Sequence, residues 1–251
     1  MCIRDSNQIE AFFNTSNSST YIGDLKNLKR AIAGHSYWTF GTNADLKDIR
    51  QNVWNKAQEY NLDVYQTEWS MLDKEPSTSA GFPSSYDAAS YMDISLYMGK
   101  LIHCDLTYGN MASWSYWTSF AQEKWGQKNR FYLLRMNTQG DNNNESYGDI
   151  QNGGTITDNS NLWVLGNYSR FIRPGYKRID HITNKEENLN KLLGSAYLSP
   201  DGKRIVLVYV NIMTSQKSVR INIEGQKAAK DINVYRTSAA CARCARITHY
   251  A

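Results

Sequence analysis

The chain has 251 residues, 41% of them hydrophobic and 21% charged, with a formal net charge of +4. That length and apolar share suffice for one large domain or two smaller ones and exclude a disordered composition. Lys and Arg are scattered rather than blocked, which argues against a nucleic-acid partner, and no run of about 18 apolar residues is present to span a membrane.

Seventeen Tyr and seven Trp are a generous supply for this length. Their rings have an apolar face and a polar edge, which suits core packing first and flat apolar ligand faces second. The cysteines are Cys2, Cys104, Cys241 and Cys244. The Cys241–Cys244 spacing is that of a metal or redox pair, but no second pair or His spacing accompanies it. Met1 to Ser6 and Cys241 to Ala251 differ in character from the Asn- and Tyr-rich body and read as foreign ends. On this reading residues 1–19 are foreign or disordered and residues 239–251 an artefactual tail.

In chain order, residues 7–24 read as a loop, polar and rich in Ser and Asn. Residues 31–40 (Ala-Ile-Ala-Gly-His-Ser-Tyr-Trp-Thr-Phe) read as a strand ending in aromatics. Thr42 with Asp45 three residues on is a candidate cap for a helix. Leu46, Ile49, Val53, Ala57 and Tyr60 then recur at helical spacing. A strand follows at once, Asp63-Val-Tyr-Gln-Thr-Glu68, ending on a carboxylate with Trp69 next. This is a strand–helix–strand unit of parallel-crossover size. Residues 75–83 are loop, and a helix is expected over about Tyr86–Leu106 with Ser84 or Ser85 as its cap. Asn110–Trp117 reads as a third strand. Residues 118–158 are Asn- and Gly-rich with one short strand at Phe131–Met136. A helix is expected over Leu162–Phe171, stopped by Pro174-Gly175. Beyond it, short strands at Leu193–Leu198, Arg204–Ile212, Val219–Ile223 and Ile232–Arg236 alternate with turn signals such as Ser199-Pro-Asp-Gly202, which indicates an antiparallel sheet or sandwich.

Three strand ends thus stand in order: Gly34-His-Ser-Tyr-Trp38, Gln66-Thr-Glu-Trp69 and Ser113-Trp-Ser-Tyr-Trp117. With Tyr168-Ser-Arg-Phe-Ile-Arg-Pro-Gly175 ahead of a β region, the chain over residues 20–238 resembles the C-terminal half of glycoside hydrolase family 30, and within it the endo-β-1,6-galactanase-like group. The resemblance implies an α/β fold. A partial (β/α)8 TIM barrel, its last three strand–helix units lying in residues 20–178, would be followed by an incomplete β-sandwich side domain in 179–238. It makes Glu68 the nucleophile at the end of the seventh barrel strand. His35 and Tyr37 then line the site from the sixth strand, and Trp114 and Trp117 come from the eighth, Trp114 as a sugar-stacking wall. Trp69 joins them as a candidate substrate contact.

Those residue types fit retaining hydrolysis. One carboxylate attacks the anomeric carbon and a second carboxyl, about 5–5.5 Å away, protonates the leaving oxygen. The second carboxyl belongs after the fourth barrel strand, roughly 90 positions before Glu68 at about 30 residues per unit. It is therefore expected outside this chain, which by itself should be inactive. The implied substrate is a β-linked polysaccharide, first β-1,6-galactan and next xylan or glucuronoxylan; a non-catalytic carbohydrate-binding protein is the rival outside the enzyme class. No cofactor is implied, and no His/Asp/Glu set has metal-ligand spacing. Polymeric substrates imply a secreted or periplasmic protein, monomeric when full length.

Overall fold

The computed structural model describes residues 6–72, 74–123, 127–138, 154–183, 187–225 and 231–247. Residues 1–5 and 248–251 of the two supposed foreign ends lie outside the described residues, as do 139–153 of the Asn-rich stretch.

Strands β1 (Ala31–His35) and β2 (Asp63–Glu68) pair in parallel, from Ala31 opposite Asp63 to His35 opposite Glu68. The register shifts between Gly34 and His35, a bulge that re-aims the side chains at the strand's end. The aromatic residues after His35 leave the strand that was expected to hold them through Phe40.

The crossover between β1 and β2 is helical, with a π-wound turn at Asp45–Ile49 running into α2 (Arg50–Glu59). Thr42 and Asp45 start it reciprocally. The Thr42 hydroxyl accepts from the Asp45 amide at 3.0 Å, and the Asp45 carboxylate accepts from the Thr42 amide at 3.1 Å. This is the capping box that the sequence indicated.

Residues 7–24 are not all loop. Ser6–Phe13 forms α1, because Ile9 and Phe13 lie four apart and give a short apolar stripe. Both are buried against Val53, Ala57, Leu62, Val64 and Met111. One face of the β1–β2 pair, with Val64 buried on it, is thereby covered by α1 and α2. The opposite face is open: Ala33, Asp63 and Thr67 are exposed, and Tyr65 has the Lys29 ammonium over its ring, at 4.5 Å.

Helix α3 (Tyr91–Thr107) starts later than expected, capped by Ser90 rather than Ser84 or Ser85. Ser90 Oγ accepts from the Asp93 amide, and Asp93 returns the bond at 2.8 Å to the Ser90 amide. The Ser85 hydroxyl closes only a local turn, accepting from the Ala88 amide. Gly99 lets other elements close on α3, since a Cβ there would lie 3.1 Å from Val164 and 3.4 Å from Val210.

The expected third strand at 110–117 is no regular strand, yet it runs alongside β2 in the parallel sense. Ala112 N–H donates to Val64 O at 2.8 Å, Gln66 N–H to Ser113 O at 3.2 Å and Trp117 N–H to Trp69 O at 2.9 Å. The Gln66 side chain interrupts the ladder by accepting from the Ser115 amide at 2.7 Å.

Among the described residues, the stretch after Trp117 holds three strands where one was expected: β3 (Phe120–Ala121) and β5 (Gly154–Asp158) flank β4 (Leu134–Thr138). Helix α4 (Ser160–Ser169) begins two residues before the expected start, because the Asn159 side chain caps it by accepting from the Asn161 amide.

The β region contains an antiparallel sheet of β6 (Lys177–Ile179), β7 (Leu192–Leu198) and β8 (Ile205–Asn211). Leu193, Val208 and Val210 on one of its faces join Met98, Leu101, Ile102, Val164 and Tyr168 in the larger core. Residues 219–223 are not in a strand, and Val219, Ile221 and Ile223 are exposed. The described part of the supposed tail pairs instead: β10 (Cys241–Ile247) runs antiparallel to β9 (Val234–Ser238).

Lys100 of α3 is a junction between the two regions. It is fully buried, and its ammonium donates to Asn43 Oδ1, the Ala80 carbonyl and Asn190 Oδ1 at 2.6, 2.6 and 3.2 Å. Burial pulls its pKa down to about 8.

Candidate active site

Glu68 is the last residue of β2, and His35, directly across the ladder, is the last of β1. A parallel pair sends both chain ends to the same edge, so the two side chains meet there: His35 Nδ1 lies 3.8 Å from Glu68 Oε1, each side chain about a third exposed. Two residues on, the chain returns Tyr37 beneath them. Its hydroxyl donates to Glu68 Oε1 at 3.1 Å and lies 3.4 Å from Ser70 Oγ. Burial pushes the Tyr37 phenol up to about 12; the hydrogen bond from Ser70 opposes that rise and the Glu68 carboxylate adds to it. Tyr37 is therefore a proton-bearing donor at neutral pH. The imidazole and phenol rings meet edge to face, with centroids 5.8 Å apart.

Trp117 stands at the same edge, its amide on the carbonyl of the residue after Glu68 and its side chain about half exposed. Glu68, His35, Tyr37 and Trp117 are thus brought together. The result is one accessible carboxylate, oriented by a phenol and facing an imidazole, with an accessible indole nearby. Such a set can attack an electrophilic carbon from the carboxylate while an indole face holds an apolar ring.

Residues 3–128, half of the chain, match the model of O-glycosyl hydrolase family 30. The chain belongs to that family. The matched segment of this family-30 chain contains all six residues expected at the site. No curated protein matches it significantly. Among solved structures it is similar to a conserved exported protein from Bacteroides fragilis, with a TM-score of 0.73 and 24% identity over 88% of this chain and 43% of that one. It is also similar to the catalytic domain of family-30 xylanase C from Talaromyces cellulolyticus (TM-score 0.51, 17% identity, 92% and 41% covered). A third is a family-30 endoxylanase from Clostridium papyrosolvens C71 (0.53, 19%, 95% and 49%). These likenesses give the chain the mixed α/β fold of family-30 catalytic domains. It spans less than half the length of each.

Two of the six expected residues turn away from the site. Trp69 is only 1% exposed. Its ring packs edge-on against Phe40 and Tyr116, with centroids 5.5 and 6.2 Å away. Trp114 leans on the same core, and its indole N–H donates at 2.8 Å to Asp105, a carboxylate inside the fold. The Trp69 ring is thereby enclosed by the fold, whereas Trp114 is only partly buried. The reason is local: β2 stops at Glu68, so two-residue alternation no longer predicts the face of Trp69. The 110–117 segment meanwhile turns Trp114 and Tyr116 together toward the core, stacked 27° apart.

Sequence reasoning also passed over two residues. Ser70 is buried against Tyr37, and Trp38 is 62% exposed beside it in a left-handed backbone conformation, φ 57°. Trp38 lies inside the quoted motif, but nothing in the sequence signals its exposure. Among the described residues no group of three or more His, Cys, Asp or Glu is placed to hold a metal ion.

Proposed function

We propose that Glu68 is the nucleophile of a retaining O-glycosyl hydrolase acting on β-linked polysaccharide. The observation that carries this is the Tyr37 hydroxyl on Glu68 Oε1 at the end of a parallel strand, with His35 across the ladder. Both contacts fall on Oε1, which leaves Oε2 as the attacking oxygen. Attack on the anomeric carbon forms a glycosyl ester as the glycosidic oxygen departs with a proton from a second carboxyl; water then cleaves the ester. The bond from Tyr37 orients the carboxylate for that attack. Trp117 supplies a stacking face for the sugar.

In this reading β1, β2 and the 110–117 segment are strands six, seven and eight of a (β/α)8 barrel, within residues 20–178. Residues 179–238 belong to a β-sandwich side domain. Parallel sheets are normally covered on both faces, and the open face carrying Ala33, Tyr65 and Thr67 supports a longer protein whose remaining strands close over it. The second carboxyl comes from that portion, and the complete enzyme acts as a secreted or periplasmic monomer. The likeness to an exported protein supports the location, and no helix among the described residues is long and apolar enough to cross a membrane.

The first substrate is β-1,6-galactan, on the motif resemblance. Xylan is the second reading, supported by the two similar structures described as xylanases. The test is to assay the longer protein and its Glu68→Gln variant on both polymers. We expect cleavage of one polymer by the wild type and a loss of at least ~10³-fold in the variant. Undiminished activity in the variant would return Glu68 to a structural role.

A further inference from the structure

Behind the site lies a carboxylate that the chemistry above does not use. Asp105, near the end of α3, is fully buried. Arg50 Nε donates to its Oδ1 at 2.6 Å, Trp114 Nε1 to its Oδ2 at 2.8 Å, and the Ser36 hydroxyl lies 3.2 and 3.1 Å from its two oxygens. Arg50, also fully buried, continues to the carbonyl of Thr39 at 2.8 Å and to its hydroxyl at 3.3 Å. Thr39 in turn donates to the Ser36 carbonyl at 2.6 Å. Burial raises the Asp105 pKa, against the pull of Arg50, Trp114 and Ser36.

Three of the anchored residues bracket the working ones. Ser36 sits between His35 and Tyr37, Thr39 closes the same turn, and Trp114 lies three residues before Trp117. The last ladder bond is the one the Ser36 amide donates to the Glu68 carbonyl at 3.3 Å, so beyond it the side chains of the turn depend on their anchors. We propose that Asp105 is a positioning residue of the site, fixing through Ser36, Arg50 and Trp114 the turn that places Tyr37 on Glu68 and the segment that presents Trp117. This rests on the reading of Glu68 as nucleophile. Asp105 does not touch substrate. It sets the geometry of groups that do, and misplacement by about an ångström costs on the order of 100-fold in rate.

The experiment compares Asp105→Asn, Ser36→Ala, Trp114→Phe and Glu68→Gln in the longer enzyme, measuring kcat, KM and melting temperature for each. Ser36→Ala removes only the arm to the turn and leaves the Arg50–Asp105 pair intact, so it carries the test if Asp105→Asn does not fold. The expected result for Ser36→Ala is a kcat reduced ~5- to 30-fold at nearly wild-type melting temperature, with KM changed less than about 3-fold. Trp114→Phe is expected to raise KM through Trp117. Normal kcat and KM in Ser36→Ala and Trp114→Phe, whatever their melting temperatures, would make the network merely structural and overturn the proposal. Full activity in Glu68→Gln would instead remove the reading on which it rests.

Discussion

Tyr37 keeps its proton because it is buried and faces a carboxylate. Donation to an ionised group is worth about 1.5–3 kcal/mol, a factor of roughly 10–100 in rate when that group reacts. Tyr37→Phe is therefore expected to lower kcat of the longer enzyme by ~10- to 100-fold with little change in KM, read from steady-state kinetics on the cleaved polymer. At this scale the sequence was informative where a residue ends a strand or lies two places beyond its end. Glu68, His35 and Tyr37 lie in such positions. Trp69 and Trp114 are aromatics of the same type in the same motifs, but packing against Phe40, Tyr116 and the Asp105 network decides their direction, and those partners are distant in sequence. Asp105 left one faint trace, a lone acid after the buried run Leu101 to Cys104.

Among the elements, α3 depends on a cap that three nearby serines could each have supplied. Ser90 supplies it, with Asp93 three residues on to return the bond; Ser84 has the same spacing to Asp87, but only Ser90 stands directly before the helix. Ser90→Ala is expected to cost about 1 kcal/mol, measured by denaturant unfolding of this chain, and Ser85→Ala less than half of that. Arg50 joins α2 to α3 through a pair with both side chains wholly buried. Arg50→Met leaves the Asp105 carboxylate buried without its charged partner and is expected to destabilise by about 3–5 kcal/mol, on the same measurement. Periodicity revealed α2, α3 and α4 because their apolar stripes are local, and it missed the short α1. It could not show that 110–117 bonds to β2 without forming a regular strand, since that depends on Gln66 entering the ladder.

For the whole molecule, the covered and open faces of the β1–β2 pair set the behaviour of the chain by itself. An open parallel face and an unpaired strand edge favour association. This chain is expected to self-associate at micromolar concentration by light scattering, whereas the longer protein runs as a monomer. The contact of α3 with the segment before β7 adds an acid dependence. Burial alone would raise the Glu187 pKa, but the hydrogen bond and charge of His103 and the bond from Tyr108 outweigh it, so the net shift is downward from 4.5. A carboxylate with a lowered folded pKa contributes stability that is present above the unfolded value and lost as pH falls through the folded one. The stability gap between wild type and Glu187→Gln should therefore narrow as pH falls below 4.5. The antiparallel strands after Pro174 were legible because alternation and turn signals are local. The pairing of residues 241–247 with β9 was not, for composition there reads as foreign while the backbone still finds a partner.

The most direct measurement on Glu68 is to trap the glycosyl ester in the longer enzyme. A 2-deoxy-2-fluoro glycoside with a good leaving group serves, since it needs little help from the acid, and the labelled peptide is then mapped by mass spectrometry. The label is expected on the peptide containing Glu68, at that residue. Active enzyme that carries the label on another carboxylate, or inverts the anomeric configuration of its product, would contradict the assignment.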